Sequence, residues 1–179
     1  MNLPNKLTLL RVILIPFFVV VLLTQCVGEN SKYVALGIFV IASITDFFDG
    51  RIARSRNLVT NFGKFMDPLA DKLLVCSAMI CLISSGKLED WIVIVIISRE
   101  FIISGFRLIA SDNGVVIAAS YWGKFKTVSQ MAMIIVLILD LPGLEIAGIA
   151  LKYLALGLTV VSLGDYVWKN RGIILDGEI

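Results

Sequence analysis

Four aspartates, arranged as two pairs, are the residues of this chain whose type and spacing can do chemistry. Asp46 and Asp49 are three residues apart, Asp67 and Asp71 are four apart, and both pairs border apolar stretches. On a helix, either spacing places the two side chains on one face, with Cβ atoms about 5–6 Å apart. An ionised carboxylate at the centre of a membrane helix costs roughly 2.5–3.5 kcal/mol, so four of them need a compensating cation. Two such helices facing each other would form an all-oxygen site suited to Mg²⁺ or Mn²⁺.

The segment between the two pairs is polar and basic, and it includes Arg54, Thr60 and Gly63. Carboxylates beside arginines at a membrane surface indicate a metal-bridged phosphate site. There the metal polarises phosphoryl oxygens and arginine binds the remaining ones. Gly50 has no Cβ and therefore permits a bulky group to approach the helix closely. Pro68 fits the first turn of a helix, which predicts a helix beginning near Asp67.

A second group of charges lies in the later half of the chain. Arg99, Glu100 and Arg107 share one apolar stretch, and Lys124 and Lys126 open the next. Two arginines and a glutamate in one span are costly unless they line a polar cavity. We interpret the basic residues as a pocket for a phosphorylated substrate. Two alternatives stay open: Arg99 neutralises Glu100 and Glu100 neutralises Arg11 in a buried ion network, or the lysines extend to lipid headgroups.

The elements that must position these residues are apolar helices. Apolar residues make up 58% of the 179-residue chain, against about 45–50% in soluble domains. A membrane span needs roughly 20 largely apolar residues. Six stretches meet that description, at residues 7–27, 33–54, 67–85, 91–110, 121–140 and 146–168. We therefore expect an all-α integral membrane bundle of six transmembrane helices, forming one domain over residues 1–179.

The basic residues predict the orientation of this bundle. With a cytoplasmic N-terminus, thirteen of the sixteen Lys and Arg residues fall on or near the cytoplasmic side. Membrane proteins show this excess of Lys and Arg on their cytoplasmic side. It places both aspartate pairs at the cytoplasmic end of the second and third spans. The chain has no histidine, so acid–base chemistry must fall to a carboxylate, a lysine or a tyrosine. Glu89 is expected to be a solvated loop charge.

The aspartates also belong to a longer motif. The chain matches the pattern D-x2-D-G-x2-A-R-x8-G-x3-D-x3-D from Asp46 to Asp71 without a departure. This pattern resembles the signature of the CDP-alcohol phosphotransferases, integral membrane enzymes of phospholipid synthesis. The resemblance implies a Mg²⁺ or Mn²⁺ cofactor, and it implies roles for individual residues. Asp46, Asp49, Asp67 and Asp71 would hold the metal, Asp71 would also be the general base, and the CDP portion of the donor would contact Gly50, Arg54 and Thr60.

Two further motifs resemble the bacterial branch of that family that uses glycerol 3-phosphate as acceptor. They are Pro4-Asn5-x-Leu7-Thr8-x-x-Arg11 and Gly123-Lys124-x-Lys126-Thr127-x-x-Gln130. Asn5 and Thr8 would contact the nucleotide of CDP-diacylglycerol, or alternatively cap the helix. The acceptor phosphate would be bound by the basic residues Arg99, Arg107, Lys124 and Lys126. The resemblance also implies a homodimer.

The resulting hypothesis is a phosphatidyl transfer from CDP-diacylglycerol to glycerol 3-phosphate in the bacterial cytoplasmic membrane, with the site facing the cytoplasm and no nucleic-acid partner. One alternative within the family is another acceptor, such as inositol phosphate. An alternative of a different class is a divalent-cation transporter. A transporter would require carboxylates near the middle of the bilayer on broken helices, whereas these cluster toward one face beside arginines.

Overall fold

A computed structural model describes residues 3–55, 61–112 and 120–171, with the backbone alone at 3–5, 46–55, 61–65 and 112. These ranges contain six α-helices and no strand. The helices are α1 (Leu3–Thr24), α2 (Ser31–Ser55), α3 (Asn61–Ser84), α4 (Asp90–Asp112), α5 (Tyr121–Leu139) and α6 (Glu145–Lys169). Each of the six apolar stretches lies over one helix, so the all-α prediction is confirmed.

Three of the helical segments are long and apolar enough to cross a membrane by length and composition. They are Lys6–Thr24, Tyr121–Leu139 and Glu145–Lys169. The remaining helices have 23 to 25 residues and are not shorter. Two of these remaining helices differ from the three apolar ones in their charged residues. Helix α3 contains Asp67, Asp71 and Lys72, and α4 contains a glutamate and two arginines. Six transmembrane helices therefore remain a prediction.

The start of α3 differs from the sequence-based prediction. The helix begins at Asn61, and Pro68 lies inside it rather than in its first turn. An apolar stretch marks where a helix is hydrophobic, but a helix can begin earlier, in polar residues. Because Pro68 has no N–H, the carbonyl of residue 64 loses its usual helical donor. Asp67 and Asp71 consequently lie about two and about three turns inside the helix and not at its end.

The chain divides into two compact units, Met1–Lys87 and Leu88–Ile179, and we describe each by itself. In the first unit, α1 packs against both α2 and α3. The rings of Phe18 and Phe39 are fully buried, with centroids 5.9 Å apart. Leu74 and Met79 of α3 are also fully buried. Apolar burial between α1 and its two neighbours therefore holds the helices that carry the aspartates.

In the second unit, α6 packs against both α4 and α5. Gly148 is buried on α6, and a Cβ there would lie 3.2 Å from Cδ2 of Leu137 on α5. The missing side chain therefore permits close packing of α5 and α6. Ile92 and Ile96 of α4 and Met133 of α5 are fully buried. These apolar layers hold the charged segments of α4 and α5 in place.

Candidate active site

In the first unit, one face of α1 organises a cluster of polar side chains. Thr8 Oγ1 donates a hydrogen bond of 2.5 Å to Oδ1 of Asp67 on α3. Arg11, one turn further along, donates from Nε to the carbonyl oxygen of Ala42 on α2 at 3.2 Å. Thr8 and Arg11 are each 1% exposed. Helix α1 is therefore hydrogen-bonded to α3 at Asp67. It is also hydrogen-bonded to α2 at Ala42, which lies one turn before Asp46.

Asp67 and Asp71 are the two metal-ligand candidates whose side chains the structure describes. They lie one turn apart on α3 and both are half-buried. This spacing places two carboxylates on one face, which suits a hard divalent cation. Within the described part of the chain, no three metal-ligating side chains form a group. The side chains of Asp46, Asp49, Asn5 and Arg54 lie outside the described part, as do the predicted contacts of Gly50 and Thr60.

In the second unit, a separate cluster of charged side chains centres on Glu100 of α4. Its Oε1 accepts hydrogen bonds from Lys126 Nζ on α5 and from Arg99 Nη1 at 3.2 Å. The Lys126 side chain is 2% exposed and that of Glu100 is 18% exposed. Burying charges is tolerated only when they are paired and hydrogen-bonded. The pairing of Arg99 with Glu100 agrees with the alternative of a buried ion network, and the structure adds Lys126, which the sequence had not placed there.

The start of α5 is fixed by its cap, which sets the level of Lys126. The Ser120 side chain accepts a hydrogen bond from the Gly123 N–H at 3.2 Å, as an N-cap residue does. A Cβ at Gly123 would lie 3.6 Å from Nη2 of Arg99, so α5 passes close to that guanidinium. The cap therefore positions Lys126 three residues further along, where it reaches Glu100 of α4.

The four predicted acceptor residues do not share one environment. Arg99 and Lys126 are brought together by Glu100, whereas Lys124 and Arg107 are exposed. The Lys124 ammonium lies over the ring of Tyr121, 5.2 Å from its centroid. The basic pocket predicted from the sequence thus has a buried part and an exposed part. Phosphate binding by these four residues remains a prediction.

Sequence reasoning missed Tyr166, near the end of α6. The residue is 6% exposed, and its ring lies 6.5 Å from that of Phe106 on α4. Its hydroxyl has no hydrogen-bond partner among the described residues, and Arg107 and Arg99 lie within electrostatic range of it. A tyrosine near the end of an apolar helix is ordinarily an interface anchor. No local signal in the sequence separated Tyr166 from that common role.

A second ion pair lies away from these residues. Lys152 Nζ on α6 donates to Oε1 of Glu89 at 2.6 Å, just before α4 begins. The Glu89 side chain is 43% exposed, so this loop charge remains in contact with solvent while it pairs with Lys152. The hydrogen bond from Lys152 holds the pKa of Glu89 below its ordinary value. This pair fixes the start of α4 on α6.

The described helices, three of them long and apolar enough to cross a membrane by length and composition, are typical of a helical membrane protein. The chain belongs to the CDP-alcohol phosphatidyltransferase family, whose model matches residues 1–161.

Two relatives are named CDP-diacylglycerol–glycerol-3-phosphate 3-phosphatidyltransferase. The one from Bacillus subtilis is 46% identical over 94% of this chain and 95% of its own length. The one from Haemophilus influenzae is 42% identical over 98% of this chain and 96% of its own length. A probable phosphatidylglycerophosphate synthase from Mycobacterium tuberculosis is 42% identical over 93% of this chain and 80% of its own length. The family resemblance drawn from the motifs is therefore confirmed.

Proposed function

We propose that this chain transfers a phosphatidyl group from CDP-diacylglycerol to glycerol 3-phosphate, releasing CMP and phosphatidylglycerol phosphate. The observation that carries this proposal is the 46% identity to the Bacillus subtilis enzyme of that name, along nearly the full length of both chains. The buried and exposed basic residues of the second unit are consistent with an acceptor that carries its own phosphate. A neutral acceptor would not need that much positive charge.

A divalent cation, Mg²⁺ or Mn²⁺, would be held by Asp46, Asp49, Asp67 and Asp71. The support in the structure is the pair Asp67 and Asp71, whose carboxylates lie one turn apart on α3, and the Thr8 hydrogen bond that orients the first of them. When bound, such a cation neutralises carboxylates and polarises phosphoryl oxygens.

The residues of this chain would divide the remaining work. The nucleotide of the donor would contact Asn5, Thr8, Gly50, Arg54 and Thr60. Asp71 would take the proton from the acceptor hydroxyl. The hydroxyl oxygen then forms a bond to the phosphorus that carries the lipid, the bond from that phosphorus to the CMP oxygen breaks, and CMP leaves with the electron pair. The acceptor phosphate would be bound by the basic residues Arg99, Arg107, Lys124 and Lys126.

The cellular setting follows from the same proposal. All six helices would cross the bacterial cytoplasmic membrane, with both aspartate pairs at its cytoplasmic face and the enzyme assembled as a homodimer. The charge asymmetry of the sequence supports the orientation. Charged residues in α3 and α4 do not exclude spanning, because the α4 glutamate is paired with Arg99 and Lys126.

An acceptor panel tests the reaction. Purified protein in a non-ionic detergent is given labelled CDP-diacylglycerol with glycerol 3-phosphate, inositol phosphate or no acceptor, each with and without a chelator. We expect CMP release only with glycerol 3-phosphate and only without chelator. Product from inositol phosphate alone would overturn the acceptor assignment. Metal uptake into proteoliposomes without any CMP release would instead favour the transporter.

Asp71→Asn tests the assignment of the general base. Because the amide cannot accept the proton, we expect turnover to fall by about 10²- to 10⁴-fold. Protection of the protein from heat by CDP-diacylglycerol should persist, since the side chain keeps its shape. Asp90→Asn, at an exposed acid at the start of α4, serves as the control and should leave turnover unchanged. Substantial activity in Asp71→Asn would remove Asp71 as the base.

A further inference from the structure

Two buried hydrogen-bond donors in the second unit have no acceptor among the residues that the structure describes. They are the hydroxyl of Tyr166 on α6 and the Nε–H of Arg99 on α4. Buried polar groups in proteins are hydrogen-bonded in about nine cases of ten. Burying either group without a partner costs free energy. A bound molecule with acceptor atoms could supply the partner that the Tyr166 hydroxyl lacks.

The charge around the hydroxyl indicates which kind of molecule this is. Arg99 and Arg107, both on α4, lie within electrostatic range of the Tyr166 hydroxyl. The neighbouring carboxylate, Asp165, is paired through Oδ1 with Lys169 at 2.7 Å, one turn further along α6, and its Oδ2 has no partner among the described residues. Donors without acceptors beside two cations favour an anion, because charge-assisted hydrogen bonds to an anion are roughly twice as strong as neutral ones.

The ring of Tyr166 is held by packing and is not free to seek another partner. It contacts Phe106, its ring centroid lies 6.5 Å away, and the residue is 94% buried. Phe106 directly precedes Arg107 on α4. The residue that packs against the Tyr166 ring and an arginine therefore lie in the same turn of α4. The hydroxyl is therefore fixed at a basic surface of α4.

We propose that the Tyr166 O–H donates a hydrogen bond to a phosphate oxygen of the phosphorylated acceptor, beside Arg99 and Arg107. The proposal rests on the proposed function, since it assigns the acceptor phosphate to this position. Tyr166 is then a substrate-binding residue for the acceptor, and it does not contact the diphosphate of the lipid donor.

Tyr166→Phe tests this role, because it removes the hydroxyl and keeps the ring. A hydrogen bond to a charged group corresponds to roughly 10- to 100-fold in affinity. We expect the KM for glycerol 3-phosphate to rise about 10-fold or more in non-ionic detergent. The KM for CDP-diacylglycerol should change less than about twofold. Tyr153→Phe, at an exposed tyrosine of the same helix, is the matched control and should change neither value.

A binding measurement keeps the proposal testable apart from activity. Inorganic phosphate should raise the melting temperature of the wild-type protein, and Tyr166→Phe should lose most of that rise. Without phosphate, the melting temperature of Tyr166→Phe should not fall, because the lost hydroxyl had no partner among the described residues. An unchanged KM for the acceptor, or equal increases in both KM values, would overturn the proposal. So would a phosphate-induced rise that Tyr166→Phe retains.

The two levels of failure are distinguishable. Absence of glycerol 3-phosphate-dependent CMP release in the wild-type protein would refute the proposed function. If the wild-type protein is active and the Tyr166→Phe variant has an unchanged KM for the acceptor, only the role of the tyrosine is refuted.

Discussion

Thr8 is the residue whose structural position most changes its interpretation. The family resemblance implies that it contacts the nucleotide, yet its hydroxyl donates to Oδ1 of Asp67 at 2.5 Å. A hydrogen bond to a metal-binding carboxylate fixes the orientation of that carboxylate, and the loss of such a bond typically costs 10- to 100-fold in metal affinity. Thr8 is therefore placed to orient Asp67, a proposed metal ligand, and this role is separate from its proposed contact with the donor.

Thr8→Val separates these two roles. We expect the concentration of Mg²⁺ or Mn²⁺ that gives half-maximal CMP release to rise about 10-fold, because valine cannot donate to Asp67. Thr8→Ser keeps the hydroxyl and should stay near the wild-type value. A metal requirement that does not change, together with a higher KM for CDP-diacylglycerol, would assign Thr8 to the nucleotide alone.

Glu100 neutralises two cations, and this predicts an order of stabilities. Removing one partner of a buried ion pair typically destabilises a protein by about 3–5 kcal/mol, because the other charge is left buried. Glu100→Gln leaves both Lys126 and Arg99 without the carboxylate, whereas Lys126→Met leaves Glu100 with Arg99. We expect Glu100→Gln to lower the melting temperature in detergent more than Lys126→Met does.

The double variant completes this cycle. Glu100→Gln combined with Lys126→Met should be less destabilised than the sum of the two single changes, because no buried lysine is left unpaired. Lys124→Met, at an exposed lysine two residues before Lys126, should leave the melting temperature unchanged. Additive effects of the two single changes would mean that the Lys126–Glu100 pair does not contribute to stability.

At the scale of elements, apolar stretches predicted all six helices, because a long apolar stretch can bury its backbone polar groups only by forming a helix or a sheet. Their boundaries were harder to predict. Helix α3 begins at Asn61, within polar residues that a search for apolar stretches passes over. Helix boundaries that do not coincide with the end of an apolar stretch are therefore the part of the fold that hydropathy does not predict.

The contacts between helices were not predictable in the same way. Thr8 and Asp67 are 59 residues apart, and Lys126 and Glu100 are 26 apart. Local spacing shows which side chains share a face of one helix, but not which helices become neighbours. The motif therefore predicted the types of residue at the site, whereas the pairing of Thr8 with Asp67 and the burial of Tyr166 required the structure.

The attachment of α4 to α6 through Glu89 and Lys152 predicts a pH dependence. The pKa of Glu89 is lowered in the folded state by the hydrogen bond from Lys152. A carboxyl group whose pKa is lowered by folding stabilises the protein above its unfolded pKa, and this contribution is lost as the pH falls through the folded pKa. The effect should be small, since Glu89 is 43% exposed and solvent screens the pair.

Glu89→Gln measures this contribution. We expect the melting temperature of the wild-type protein to exceed that of Glu89→Gln at pH 7, and the difference to shrink as the pH falls below the ordinary pKa of a glutamate, about 4.5. Glu29→Gln, at an exposed acid in the turn before α2, should show no such difference. A difference that persists unchanged at acid pH would show that the ionised form of Glu89 is not what stabilises α4.

At the scale of the whole molecule, the apolar side chains that the helices expose are typical of a membrane protein. Large apolar side chains are exposed along the helices, including Phe17, Ile94 and Val160 at more than half of their surface. Trp91, Trp122 and Trp168 lie near helix ends, where tryptophan concentrates at membrane interfaces. Helices α1, α5 and α6 are apolar enough to span, whereas α3 and α4 carry charges that need partners. The number of spans therefore depends on whether those charges are neutralised.

Cysteine labelling determines that number, because the two possibilities place the end of α4 on opposite sides of the membrane. With a cytoplasmic N-terminus, Cys26 follows α1 and lies outside in either case. Six spans place Ser111, exposed near the end of α4, in the cytoplasm, whereas spanning by α1, α5 and α6 alone would leave it outside.

A membrane-impermeant maleimide should label Cys26 in right-side-out vesicles. In a Cys26→Ser background, it should label Ser111→Cys only in inside-out vesicles, since Cys76 and Cys81 are buried. Labelling of Ser111→Cys from the same side as Cys26 would refute the six-span arrangement and with it the cytoplasmic position of the aspartates.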